Sequence, residues 1–345
     1  MIDLSELRDS AQKAFPVDKL VPERDAAWAL AAEMGWLMIE LPEDQGGLGL
    51  GRDAAATIHY ELGKVLSSAP LIPALLALRA IFEAENFADK ESWIERICGS
   101  EYVPLNMLPG KLEVATDGSL TGKVSGFFDA DMASHVLVGA SGRYLLVPTS
   151  APGVRLEEKR LWDESRRLFD LYLDGYMPNP TLCVAEGAEA APLHDSIARS
   201  AHLFVAADSL GGATAGLDMT VDYLKMRKQF DRPLAMFQAL KHRCADLKSQ
   251  IVSAEALLWA RAANSESVNV TALGAMKVYA TDSYRIVTED MIQLHGGIGL
   301  TEEHPCHLFM KRAMLNLQLC GLLDHWREMV GREALALAIE LNPEK

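Results

Sequence analysis

Apolar positions recur at helical spacing through the first hundred residues. Ala26–Met34 is alanine-rich, Ala54–Leu66 sets Ile58, Leu62 and Val65 on one face, and Ala74–Phe87 does the same, which predicts three helices. Residues 41–51, LPEDQGGLGLG, lie between the first two, and their glycines and proline cannot continue a helix. From about Glu101 to Val184 the period changes. Short apolar runs at 102–105, 135–138, 143–147 and 168–173 are separated by turn signals such as Thr116-Asp117-Gly118 and Pro152-Gly153, the pattern of a compact β-domain. After Pro192 long helical patterns return. One covers 198–228, weakened only at Gly211-Gly212, and Pro233 then breaks or restarts the chain. Phe237, Leu240, Cys244, Leu247, Ile251, Ala254 and Leu258 form a stripe that asks for burial. Another helix, 270–294, ends at His295-Gly296-Gly297, and a last one, 308–341, is interrupted only by Gly321 and Gly331. The predicted fold class is α+β: an N-terminal α-helical domain over 1–100, a middle β-domain over 101–190 and a C-terminal four-helix bundle over 191–345. There is no internal repeat.

Composition narrows the function. The chain has 345 residues, enough for two or three domains, and 49% hydrophobic with 23% charged residues is ordinary globular usage. With 48 acidic against 33 basic residues the formal net charge is −15, which argues against a nucleic-acid or anionic-membrane binder. The best apolar run, Ala69–Phe82, is broken by Pro70, Pro73 and Arg79, and the amphipathic start MIDLSELRDS is not a secretory signal, so a cytoplasmic location without a membrane span is expected. Five cysteines (Cys98, Cys183, Cys244, Cys306, Cys320) without a CxxC pair indicate neither disulfides nor a zinc knuckle; each is read as a small buried apolar residue.

Three segments carry a family likeness. Residues 223–238, YLKMRKQFDRPLAMFQ, resemble the R-x-Q-F-G-x-P-x-x-x-F-Q segment of the acyl-CoA dehydrogenases; 293–305, QLHGGIGLTEEHP, is similar to their Q-x-x-G-G-x-G segment; and 35–51, GWLMIELPEDQGGLGLG, looks like their G-x-x-x-x-x-x-P-E-x-x-G-G-x-G stretch. The resemblance runs in the right order over nearly the whole chain. It implies FAD as cofactor and a CoA thioester as substrate. An arginine fork answers a doubly charged pyrophosphate with paired hydrogen bonds, and glycines let backbone N–H groups approach a ligand closely. By resemblance Arg227, Gln229, Phe230, Phe237 and Gln238 bind the pyrophosphate and adenosine end, and Gln293, Gly296, Gly297 and Gly299 form a second contact. Read without the family, Arg227 belongs to a solvated Lys225-Arg227-Lys228 cluster and Gly296-Gly297 to a plain helix C-cap, which leaves Gln293 unexplained.

The likeness fails where the proton chemistry belongs. α,β-Dehydrogenation needs a positioned general base. In most of the family this is a Glu directly before a Gly in the last helical region; continuing without gaps from QLHGGIG, that position here is Cys320, with Leu322 where a hydroxyl is expected. A minority of the family places the Glu about 26 residues before the arginine, which lands near Ala201, beside His202, again without a carboxylate. Cys320 lacks an activating neighbour in sequence, His202 reads as a structural histidine, and Glu302 and Glu303 as a solvated turn. The family's T-E-P-x-x-G-S-D and W-[IS]-T segments, which grip the flavin ring and thioester, are replaced by 103–110 (VPLNMLPG) and by Gly126-Phe127-Phe128.

In the family the flavin lies across a dimer interface, and this chain keeps the set a partner donates while losing the set a host uses itself. It resembles the short subunits of actinobacterial heterotetrameric (α2β2) steroid-type acyl-CoA dehydrogenases. The resemblance thus implies a base-less subunit acting with a homologous partner that carries the catalytic Glu, and an electron-transfer flavoprotein as acceptor. Three other readings stay open: a self-sufficient homomeric dehydrogenase using a carboxylate such as Glu302 or Glu189, a flavin-free assembly protein that kept only the fold, and a family relative with other flavin chemistry such as oxygenation.

Overall fold

The computed structural model describes residues 3–341. They gather into two compact units: one takes the chain up to Ile58 together with Ser67–Ala201, the other His59–Leu66 and the chain from His202 onward.

The N-terminal helices are α1 (Leu4–Ala14), α2 (Arg24–Glu33), α3 (Gly51–Lys64), α4 (Leu71–Glu83) and α5 (Lys90–Cys98). Asp3 caps α1 by accepting from Ser5 N (3.1 Å), and Glu23 caps α2 through Asp25 N and Ala26 N. α4 is offset from the predicted 74–87. It begins at Leu71 because Pro73 sits in the first turn, where a missing N–H costs nothing, and every residue from Leu71 to Phe82 is buried. Arg79 inside this core is neutralised by Glu40 and Glu83. The 41–51 stretch is a loop, as predicted, folded back so that Leu48 N donates to Met38 O (2.9 Å) and Leu50 N to Ile39 O (2.9 Å).

Strands β1 (Gly110–Val114), β2 (Leu120–Phe128), β3 (His135–Ala140), β4 (Arg143–Pro148), β5 (Val154–Lys159), β6 (Leu168–Tyr176) and β7 (Cys183–Glu186) form two antiparallel sheets ordered β1-β2-β6-β5 and β3-β4-β7. The run 102–105 is not a strand. Pro104 removes a ladder donor, and the segment makes only a single bridge, Leu105 to Leu137, before it is buried.

Helix α6 (Ala190–Met226) starts eight residues before the predicted 198 and runs without a break through Gly211-Gly212. These glycines are needed rather than weakening. A Cβ on Gly211 would lie 1.9 Å from Tyr60 O, and one on Gly63 2.1 Å from Asp208 O, so the α3 and α6 backbones meet directly. A Cβ on Gly212 would strike Tyr284 at 2.5 Å.

After a two-residue hairpin, β8 (Lys228–Gln229) with β9 (Arg232–Pro233), come α7 (Gln238–Ala262) and α8 (Val270–His295). The α7 stripe is buried only from Leu247 onward, at Leu247, Ile251, Ala254 and Leu258; Phe237, Leu240 and Cys244 stay half-exposed. The predicted 308–341 helix is two helices, α9 (Cys306–Gln318) and α10 (Leu323–Leu341). Cys320 (φ 56°) and Gly321 (φ 91°) turn left-handed and end α9, whereas α10 passes through Gly331 undisturbed. Of the cysteines only Cys306 is fully buried; the other four are half-buried, so reading every one as a buried apolar residue was too simple. No described helix is long and apolar enough to cross a membrane.

In α9, the fully buried Arg312 faces Asp208 (3.5 Å) and donates to Leu66 O (3.3 Å), and Asn316 Nδ2 donates to Asp208 Oδ2 (2.7 Å) and Ser209 Oγ (2.9 Å). Because Gly63 and Gly211 hold Asp208 at this place, Gly211→Ala should cost about 3 kcal/mol or more through forced separation of two backbones, read as a lowered Tm and a lowered denaturant midpoint. Gly331→Ala, at an open site on the exposed face of α10, serves as the control of opposite sign and should stabilise by about 0.5–1 kcal/mol through helix propensity.

Candidate functional site

The basic segment lies at the end of α6. Arg227 N still donates to Tyr223 O (2.8 Å), and the β8-β9 hairpin follows. Its tip is Phe230 and Asp231, both left-handed (φ 52° and 60°), as a type I′ turn requires. Phe230 is 84% exposed and edge-on to Phe237, with centroids 6.1 Å apart, while the Arg232 guanidinium lies 4.0 Å over the Phe237 ring. Gln238 opens α7. The structure thus gathers Arg227, Gln229, Phe230, Phe237 and Gln238 on one hairpin and the helix start after it; Phe237 is half-buried and the other four are exposed. Lys225 is paired with Asp222 (3.0 Å), but Arg227 has no carboxylate partner among the described residues.

Gln293 is exposed on the last turn of α8, and its carbonyl accepts from Gly296 N. Gly296 adopts φ 63°, ψ −139°, a conformation that L side chains avoid. Gly299 is a packing glycine, since a Cβ there would lie 2.6 Å from Ile292 O. Gly297 differs from both. It is exposed, its φ is ordinary, and nothing lies within 4 Å of where a Cβ would stand, so the fold itself does not demand a glycine there. The two motifs are brought together by Tyr223, one turn before Arg227, whose hydroxyl donates to His295 O (3.2 Å) and whose ring stacks on His295. An unpaired guanidinium, exposed side-chain amides and aromatic faces can receive an anionic ligand bearing an aromatic ring.

Position 320, where the sequence reading expected a base, is built differently. Burial pushes the Cys320 thiol up to about 11, despite the nearby Lys277 cation. Lys277, fully buried in α8, donates to Gly321 O (3.0 Å), and burial pushes its ammonium down to about 8. Trp326 Nε1 donates to Cys320 O (2.8 Å), and the indole lies flat on Gly274, where a Cβ would be 2.3 Å from the ring. Leu322 is 51% exposed. At the alternative position Ala201 and His202 are both buried. Glu302 and Glu303 are exposed in the loop after the glycines. Glu189 accepts from Glu85 N (2.7 Å), Asn86 N (3.1 Å) and Asn86 Nδ2 (3.3 Å). Burial opposes its ionisation, but these donors outweigh it and hold the carboxyl below its usual range. Sequence reasoning passed over Tyr223 and Lys277. Lys277 was detectable as a charge within the apolar Leu273, Met276, Ala280, Tyr284 series of α8.

In the β-unit the two replaced segments lie side by side. Met107 N donates to Gly126 O (2.8 Å), and Val103, Leu105, Met107, Phe127 and Phe128 are all buried. Asn106, the one polar side chain of 103–110, is spent on Leu108 O, Gly139 O and Gly139 N.

Residues 5–101 match the N-terminal domain of acyl-CoA dehydrogenases and residues 200–335 match their C-terminal domain. The acyl-CoA dehydrogenase IpdE2 of Mycobacterium tuberculosis is 32% identical over 309 residues, covering 89% of this chain and 85% of that protein. The chain belongs to the acyl-CoA dehydrogenase family. It is therefore an oxidoreductase by family. The solved structure of the Tcur3481-Tcur3483 steroid ACAD, G363A variant, aligns over 97% of this chain and 98% of that one with TM-score 0.85 and 26% identity. The ChsE4-ChsE5 complex from Mycobacterium tuberculosis shares the fold, with TM-score 0.83 and 23% identity over 96% of each chain.

Lys277 sets a pH dependence for this acyl-CoA dehydrogenase family member. Its folded pKa lies below the unfolded value of 10.5, so the unfolded chain binds more protons between about 8 and 10.5 and stability rises with pH across that window. The penalty is fully present below about pH 8. Lys277→Met should therefore be the more stable protein at pH 7, by about 3 kcal/mol, and the gain should vanish by about pH 10.5; urea unfolding at a series of pH values measures it.

Proposed function

We propose that this chain is one subunit of a heteromeric FAD-dependent acyl-CoA dehydrogenase, without a catalytic base of its own, that completes the flavin site of a homologous partner carrying the catalytic Glu. The observation that carries this reading is a contrast between two sets of groups. Arg227, Gln229, Gln238, Gln293 and Gly297 are exposed and uncommitted, whereas the segments 103–110 and 126–128 have spent or lost their polar groups in packing.

The residues present fit the phosphate and adenosine end of FAD. The Arg227 fork meets the pyrophosphate charge, Phe230 and Phe237 offer aromatic faces, and the glycine at 297 leaves room for close approach to backbone N–H groups. FAD, when bound, supplies the hydride acceptor for α,β-dehydrogenation of a CoA thioester. No group at either base position can take the α-proton. Cys320 holds its own proton to about pH 11, Lys277 is buried and donates to Gly321 O, and Glu189 is committed to backbone donors. That supports placing the base on a partner chain and disfavours a self-sufficient homomer. The similar steroid ACAD, named as a Tcur3481-Tcur3483 pair, supports the heteromeric assembly and a steroid-type substrate, for which we propose a side-chain thioester. An electron-transfer flavoprotein completes the reading as electron acceptor.

Purified alone, the chain should retain little flavin and show no dehydrogenase turnover; mixed with its partner it should give stoichiometric flavin absorbance and activity. Full flavin and full activity in the lone chain would overturn the reading. In the reconstituted complex Arg227→Ala should weaken FAD retention by at least about tenfold, the effect of removing one charge-assisted hydrogen-bonding group from the pyrophosphate. A flavin-free assembly protein predicts no change.

A further inference from the structure

A second cluster stands between the two glycine-rich helix ends and has no role in flavin binding as proposed. His295 ends α8, His304 sits in the connection that follows, and Cys306 begins α9. One ligand atom from each lies within 4.8 Å of the others, the His304 Nδ1 to Cys306 Sγ distance is 3.0 Å, and the two imidazole centroids are 4.3 Å apart. His295 is 3% exposed and Cys306 0%, with His304 half-buried.

The fold has already chosen the ring state of His295. Its Nδ1 is 2.8 Å from Met291 O, and a carbonyl only accepts, so Nδ1 carries the proton and Nε2 the lone pair. That Nε2 is buried and makes no hydrogen bond. One ring nitrogen anchored on a backbone carbonyl and the other buried and unpartnered is how a metal-binding imidazole is oriented. The Tyr223 ring stacks on His295 at 4.4 Å and 30° and fixes its plane. His304 is oriented too. Its Nδ1 accepts a long hydrogen bond from Cys306 N (3.4 Å) and lies 3.0 Å from the Cys306 sulfur, so a metal held there would take the place of that long bond.

We propose that His295, His304 and Cys306 bind a divalent cation of the zinc type, with a fourth position open to water, forming a clasp across the 296–305 connection. Two imidazole nitrogens and one thiolate are a borderline-soft donor set that suits zinc and not magnesium or calcium, which require oxygen. Zinc bonds of about 2.0–2.3 Å set tetrahedral ligand atoms about 3.3–3.6 Å apart, so the 3.0 Å separation of His304 Nδ1 and Cys306 Sγ has to open by about 0.5 Å while the widest separation, up to 4.8 Å, closes by about 1 Å, and rotation of the half-buried His304 can supply both. On binding, the Cys306 S–H bond breaks, its proton passes to solvent and the S–Zn bond forms; no electron is transferred. The H-x8-H-x-C spacing lies outside the CxxC pattern on which the absence of a zinc knuckle was read, which is why the sequence alone did not signal it.

The test uses the purified full chain, stripped by a chelator and titrated with Co2+ or Zn2+ alone, and it needs neither flavin nor a partner. One equivalent should bind, Co2+ should give a thiolate-to-metal charge-transfer absorption that Zn2+ abolishes, and Zn2+ should raise the Tm. His304→Ala and Cys306→Ser should each weaken Zn2+ binding by at least about tenfold, and Cys306→Ser should lose the charge-transfer band. Absence of saturable binding, a cobalt spectrum without thiolate character, or unchanged affinity in His304→Ala would each overturn the proposal. Where Cys306→Ser fails to fold, the cobalt spectrum of the unaltered chain and the half-buried His304 variant decide.

Discussion

Direct contact between two helix backbones at Gly63 and Gly211 is the constraint from which the C-terminal unit is built. Any side chain at either position would meet a carbonyl oxygen at about half the normal separation. The contact fixes Asp208, whose carboxylate is the counter-charge for the fully buried Arg312 and the acceptor for Asn316. A buried guanidinium is tolerated only while its acceptors stay in place, so the register of α9 against α6 is held by charge as well as by packing. With α6 and α9 set, the loop joining α8 to α9 is pinned at its far end, and Tyr223 ties its near end to the last turn of α6.

The two regions that a flavoenzyme of this family needs have opposite character here. At the ends of α6 and α8, polar side chains are left over: Gln229 and Gln293 are exposed, and Arg227 stands without an ionic partner among the described residues. In the β-unit the corresponding loops are closed. Asn106 makes three hydrogen bonds to backbone groups and Phe127 and Phe128 fill the interior, because an unpaired polar group enclosed there would cost more than an apolar side chain gains. The turn at 320–321 follows the same logic. Cys320 is turned left-handed under Trp326, and the one charge close to it, Lys277, is fully enclosed and bound to a carbonyl.

Much of this was legible along the chain. The change from helical to alternating periods near residue 101 and back after Pro192, the turn residues between strands, and the glycines ending α8 marked the α+β order, since periodicity and turn chemistry are local properties. The segment holding Arg227 and the one holding Gln293 were also visible as motifs, but the hairpin at 228–233 was not, since only a break at Pro233 was read there. The differences have local explanations as well: Pro73 reads as a breaker but is harmless in a first turn, and Pro104 turns an apolar run into an unpaired buried segment.

The sequence by itself determined which residue types could act: a cysteine at 320 and an alanine and histidine at 201–202, an arginine and glutamines in the basic segment, and glycines after α8. Only the tertiary structure decided what each is free to do. It showed that Gly299 serves packing while Gly297 does not, that Glu189 is already occupied by backbone donors, that Lys277 is sealed beside Cys320, and that His295, His304 and Cys306 meet. Availability depends on neighbours brought together from distant positions, and hydrogen-bond satisfaction, burial and close approach are properties of that assembly, not of spacing along the chain.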